Sequence, residues 1–199
     1  MRQRICFAVL MMSLCLLCAC GGKESEPIQA PMDFRRELLT RGGCAMELEA
    51  RAESGNLVWE LTLDCSLDPT GKGSVTVLAP ESIAGVTALV DEGAGSLRYG
   101  DLALGLGLLP GTELAPAAAP GKLVRAWAQA WIASAGEEDP GSMARYEDGR
   151  FTVSTWFDEN RVPLRAELAV DGKLCFAAVI RKFEWKAIES NETTEENLG

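Results

Sequence analysis

The side chains able to do chemistry here are 29 aspartates and glutamates, seven cysteines and five tryptophans, with no histidine, in a chain of 199 residues and formal net charge −10. The missing histidine removes the commonest general base near neutral pH and the commonest zinc ligand. Ser-His-Asp and Cys-His catalysis are excluded, and a zinc site would have to use Cys or carboxylate alone. Paired carboxylates hydrolyse glycosides when two of them are coupled. At this abundance pairs arise by number, and nothing in the sequence marks two as shielded. Asp158-Glu159-Asn160 lacks the spacing of a calcium loop and reads as a solvated hairpin tip. Gly71-Lys72 ends like a phosphate-binding loop, but Ser66 stands where the first Gly is needed and Gly73 where Ser or Thr is needed. Gly105-Leu106-Gly107 opens like a dinucleotide fingerprint, with Pro110 at the third Gly position. The chain has no G-x-S-x-G elbow and no S-x-x-K motif. The expectation is a non-enzyme with no catalytic residue, metal or cofactor. The acidic balance also argues against nucleic acid, which selects Lys- and Arg-rich surfaces.

The cysteines divide by place. Arg2 and Arg4 make a basic start, and residues 5–17 are an apolar run interrupted only by Ser13. That run is shorter than the about 20 residues a membrane span needs, and it fits the core of a secretory signal. It ends in Leu17-Cys18-Ala19-Cys20, ahead of Gly21-Gly22. This resembles the lipobox of bacterial lipoproteins, with Leu three places before the cut, a small residue before it and Cys after it. The resemblance implies that residues 1–19 are a signal peptide cut after Ala19, and that Cys20 carries diacylglycerol. Its alternative is an uncleaved anchor helix. It places the protein on the extracytoplasmic face of a cell membrane, its first partner, held stably once two acyl chains are present. Cys44, Cys65 and Cys175 then remain as thiols.

Residues 20–30 read as the lipidated Cys and a flexible tether. Residues 31–41 predict a short helix with Asp33 as N-cap, Phe34, Leu38 and Leu39 on one face, and Gly42-Gly43 as its stop. Arg35, Arg36 and Arg41 read as a solvated face that could also touch anionic headgroups. The clearest strand pair follows. Cys44, Met46, Leu48, Ala50 and Ala52 alternate with polar residues, as do Leu57, Trp59, Leu61, Leu63 and Cys65. A Ser54-Gly55 turn would oppose Ala50 to Trp59, Leu48 to Leu61, Met46 to Leu63 and Cys44 to Cys65, with one apolar face. In an exported protein the two cysteines could form a disulfide. Buried free thiols are the other reading, because directly opposed strand cysteines make strained bridges.

Further strands are predicted at 74–79, 86–90, 97–106, 143–146, 150–157, 164–170 and 173–185. Residues 122–135 predict the one strong helix, with Leu123, Trp127, Ala130 and Trp131 on one stripe. Residues 137–141 read as an acidic loop, and 187–199 as an acidic disordered tail. About nine sequential strands and few helices imply an α+β fold, a curved antiparallel sheet wrapped around one main helix. Trp59, Leu61, Leu123, Trp127 and Trp131 would face its interior, either as packed core or as the wall of a hydrophobic cavity suited to acyl chains.

The order of elements carries a second resemblance. A lipobox, tether, short helix and wide hairpin precede the segment Val75-Thr76-Val77-Leu78-Ala79-Pro80-Glu81-Ser82-Ile83-Ala84-Gly85-Val86. A strand pair, one helix and a closing meander through Pro163-Leu164-Arg165-Ala166-Glu167 and Asp171-Gly172-Lys173 follow. This resembles LolA-like lipoproteins, including clostridial germination lipoproteins, over residues 31–186. The resemblance implies a half-barrel with a helix over its concave face and no catalytic residue. In carrier relatives, which work in lipoprotein sorting, that concavity receives acyl chains of a lipid or lipoprotein. In germination relatives the role is partnership with an envelope protein, for which a solid core suffices.

Overall fold

The computed structural model describes residues 27–54, 57–91, 94–100, 102–108 and 116–187. The signal segment, Cys20, tether residues 20–26, residues 55–56 and tail residues 188–199 lie outside the described residues.

Helix α1 is Gln29–Arg41. Pro31 sits in its first turn, where a missing N–H costs nothing, and Phe34 and Leu38, four apart, are its buried anchors. It ends at Gly42, whose left-handed φ of 72° suits glycine. Asp33 is not the N-cap. That position is Ile28, without a side-chain cap, and Asp33 lies inside the helix, pairing with Arg36 at 2.6 Å and with Arg161.

Strands β1 (Cys44–Ser54), β2 (Leu57–Leu67), β3 (Gly73–Ala79), β4 (Thr87–Asp91), β5 (Ala94–Tyr99) and β6 (Leu102–Leu108) run in sequence. Helix α2 (Ala119–Gln129) follows, then β7 (Trp131–Glu138), β8 (Gly141–Asp148), β9 (Phe151–Phe157), β10 (Pro163–Val170) and β11 (Lys173–Trp185). All eleven strands form one antiparallel sheet in the order β6-β5-β4-β3-β2-β1-β11-β10-β9-β8-β7. Pairing of β11 with β1 joins the closing meander to the first hairpin and puts the two longest ladders at the centre. The sheet is open and curved. Helix α2 touches β2, β10 and β8, strands spread across the sheet order, which requires the sheet to bend around it. This is the α+β fold expected from the strand pattern, a curved antiparallel sheet around one main helix.

Two expectations are corrected. The β1–β2 register pairs Ala50 with Leu61, Leu48 with Leu63, Met46 with Cys65 and Cys44 with Leu67. Ser54 already pairs with Leu57, which rules out a Ser54-Gly55 turn. Moving a turn by one residue moves every partner by two, so the apolar face survives while the pairs change. The helix predicted over 122–135 stops at Gln129. Ala130 takes an extended backbone, with ψ 157°, and residues 131–138 pair with β8 instead. Residues 137–141 are accordingly the end of β7, a turn at Asp139-Pro140 and the start of β8.

Candidate functional site: the concave face and its open end

Two rows of inward side chains define the concave face. One crosses six strands as Leu61, Ala50, Ala178, Ala166, Thr155 and Ala144. Four alanines in line leave a shallow trough, and α2 lies in it. Leu123 and Trp127 of α2 are fully buried there. The Trp127 indole N–H donates to Thr155 Oγ1 at 2.7 Å, which supplies the partner that a buried indole and a buried hydroxyl both require. Phe34 of α1 meets the indole edge-on at 5.5 Å and also packs on Phe157 and Trp185, each at 5.2 Å. Trp127 itself is thus packed between Phe34 and Thr155, with no exposed surface.

Arg35 locks this arrangement. Its guanidinium donates to the carbonyls of Trp127 at 2.7 Å and Ala130 at 2.5 Å. A cation on the last carbonyls of a helix satisfies orphan acceptors and opposes the negative end of the dipole. The solvated face expected for Arg35 is therefore corrected: the side chain is half-buried against α2, with its pKa lowered first by that burial. Replacing Arg35 by Lys should lower stability by about 1–3 kcal/mol, since one ammonium cannot span both carbonyls in the guanidinium's fork geometry. Urea denaturation of the variant measures this, and an unchanged midpoint would remove the capping role. Tyr146, whose ring lies 5.8 Å from the Arg35 guanidinium, is fully buried with a hydroxyl that has no hydrogen-bond partner.

The second inward row is Trp59, Ala52, Phe176, Leu168, Val153, Tyr146 and Ile132. Every member is buried except Trp59, which is 41% exposed. Leu57, two residues nearer the hairpin tip on the same face, is 61% exposed. The concave face therefore continues past the part that α2 covers, and its uncovered end is apolar.

Of the five side chains expected at the interior, Leu61, Leu123 and Trp127 share the main core. Trp59 stands at the open end. Trp131 does not join them. It opens strand β7, not a helical turn, and is 75% exposed. The i, i+4 spacing from Trp127 placed it on a helix stripe that does not extend so far.

Cys44 and Cys65 are both free and buried, and they sit in diagonal rather than opposed positions. The opposition that suggested a disulfide came from the register corrected above. Burial pushes the Cys44 thiol up to about 12. Burial, Asp64 and Cys44 push that of Cys65 in the same direction. A nucleophilic cysteine needs the opposite shift. Iodoacetamide is expected to modify Cys175 in the native protein and to spare Cys44 and Cys65 until denaturant is added, without reductant. Peptide mapping reads the difference, and modification of Cys44 in the folded state would contradict the packing described.

The outer face of the sheet carries a shallow cavity of about 630 Å³. Ala177, Val179 and Pro80 line it, with Glu49, Arg51, Glu60 and Arg165 among its charged residues. These charges are largely spoken for. Arg51 pairs with Glu53 at 3.2 Å, Glu49 with Arg181 at 2.5 Å, and Arg165 with Glu167. The Arg181 hydrogen bond holds the Glu49 carboxyl below its usual range. Arg165 also lies 4.8 Å above Trp156, a buried indole outside the main core. Sequence reasoning missed both Arg35 and this Arg165–Trp156 pair. Among the described residues no three metal-ligating side chains gather.

No family model matches the chain, and no curated protein matches it. Solved structures do. An uncharacterized conserved protein from Thermus thermophilus is 12% identical, covers 81% of this chain and 88% of its own, and superposes with a TM-score of 0.45. A putative outer membrane lipoprotein-sorting protein domain from Vibrio parahaemolyticus is 10% identical, with coverage of 80% and 94% and a TM-score of 0.40. A LolA superfamily protein from Nitrosomonas europaea is also 10% identical, with coverage of 80% and 94% and a TM-score of 0.43.

Proposed function

We propose that the protein is a lipid-anchored, extracytoplasmic binding protein that holds one apolar chain, of a lipid or an acylated protein, on the open end of its concave face. The observation that carries this reading is Trp59, inward-facing yet half wet at the end of a row otherwise buried. Covering a large apolar side chain contributes about 1.5–3 kcal/mol, so a ligand laid over Trp59 and Leu57 gains affinity without any polar contact. The burial of Trp127 against Phe34 and Thr155 supports a site beside α2 rather than beneath it. Anchoring through Cys20 follows from the lipobox and would keep the open face at an envelope surface.

Titration of the full chain with a fluorescent fatty acid tests the ligand. Trp59→Ala and Leu57→Asp are expected to weaken uptake at least tenfold, with an unchanged circular dichroism spectrum. No uptake by the unaltered protein, or equal uptake by Trp59→Ala, would overturn the reading.

A second reading, an interaction module supporting an envelope protein, is favoured by the outer-face cavity, where paired charges surround Ala177 and Val179. Arg165→Glu would then abolish capture of that partner while leaving fatty-acid uptake intact.

A further inference from the structure

We infer that the outer surface of α1, with Trp131 beside it, docks on an anionic bilayer and lays the domain down on the membrane that carries its anchor. The inference rests on the anchoring of Cys20 proposed above. Helix α1 turns Phe34 and Leu38 to the core, yet it also carries a second apolar stripe. Ile28, Met32 and Leu39, at helical spacing, are 41%, 47% and 51% exposed. Arg36 lies on the same stripe, four residues after Met32 and three before Leu39, with its side chain 72% exposed. The helix carries three arginines against Asp33 and Glu37, a weakly positive stretch in an acidic chain, with Arg35 turned to α2, Arg36 paired with Asp33 and Arg41 with Glu37. Apolar residues beside Arg on one exposed helix face are the pattern of helices that lie in the membrane interface.

Trp131 lies near this helix and points outward from β7, on the side opposite the buried Ile132. Arg35 of α1 holds the carbonyl of Ala130, so the next residue begins beside this helix. Trp131 is the most exposed large apolar side chain among the described residues, and an indole is the side chain that settles best at headgroup level. No described helix is long and apolar enough to cross a membrane, so α1 would lie along the interface rather than span it.

The occupant follows from chain length. Eight residue steps separate Cys20 from Ile28, a reach of at most about 29 Å. With Cys20 acylated, the start of α1 cannot leave the neighbourhood of the bilayer. Tethering supplies a high effective concentration, so a weak interfacial affinity suffices. Anionic lipid suits Arg36, and it opposes the acidic remainder of the domain, which orients α1 toward the surface.

The full chain, purified from membranes, is reconstituted into phosphatidylcholine–phosphatidylglycerol vesicles with brominated acyl chains. The emission that separates the unaltered protein from Trp131→Phe should fall at least twofold and shift to the blue. Met32→Asp with Leu39→Asp should abolish that quenching and leave the circular dichroism spectrum unchanged. An unquenched Trp131 overturns the docking, as does quenching that survives the double Asp change. A mass spectrum of the same sample reports Cys20 separately. A mass without diacylglycerol overturns the anchoring, and quenching of that chain added to vesicles still decides the docking either way.

Discussion

Trp127→Ala is expected to lower the free energy of unfolding by about 3–5 kcal/mol, the cost of a large cavity in a core that cannot collapse into it. The indole is fully buried, lies edge-on to Phe34 at 5.5 Å and sits above a floor of alanines that have no atoms to move into the gap. The change also strands the fully buried Thr155, whose hydroxyl takes the indole N–H at 2.7 Å. Trp127→Phe separates the two effects. It keeps most of the ring and removes the donor, so its cost should be about 1–3 kcal/mol. Combining it with Thr155→Val should recover part of that loss, because removing both partners leaves nothing unsatisfied. Chemical denaturation measures all four proteins. A Trp127→Ala variant within about 1 kcal/mol of the unaltered protein, the average for any substitution, would mean that α2 is not held in the trough.

The second large effect is expected at a backbone contact. A Cβ added to Gly121, in the first turns of α2, would lie 2.5 Å from the Gly71 carbonyl oxygen. One added to Gly71, in the β2–β3 loop, would lie 2.3 Å from the Gly121 oxygen. Both overlaps are with backbone, so no flexible side chain can yield. Overpacking of this kind costs about 1–3 kcal/mol or more. At Gly71, with φ +83°, a left-handed residue adds about 1–2 kcal/mol. Gly71→Ala should therefore be the more damaging of the two and should lift the start of α2 from the loop. Gly149→Ala is the control. Its φ is +62° with nothing within 4 Å of the added carbon, so only the conformational cost applies. Thermal melts report the ranking. A Gly71→Ala protein as stable as Gly149→Ala would contradict the close seating of helix on loop.

The parity of the strands was legible and their register was not. Met46, Leu48, Leu63 and Cys65 are buried as the alternation requires, because a side chain's face depends only on odd or even position. The expected Ser54-Gly55 turn was one residue off, since Ser54 pairs with Leu57, and that single step slid the pairing by two. Residues 130–135 misled for a different reason. Trp127 and Trp131 are four apart, and that spacing fits a helix until β8 offers hydrogen bonds to a strand. The alanine trough had no sequence signal, since Ala50, Ala144, Ala166 and Ala178 come from four strands. Arg35 reaches carbonyls 92 and 95 residues away, a contact no local pattern encodes. The inward side of Trp59 was legible. Its exposure was not, because that depends on where α2 ends over the sheet.

Native mass spectrometry of the full-length protein, taken directly from membranes in mild detergent, tests the central claim most directly. A single lipid or acyl adduct at one-to-one stoichiometry, lost in Trp59→Ala and retained in Arg165→Glu, is the predicted result. A bare protein, or an adduct that survives Trp59→Ala undiminished, would contradict a ligand on the open end of the concave face.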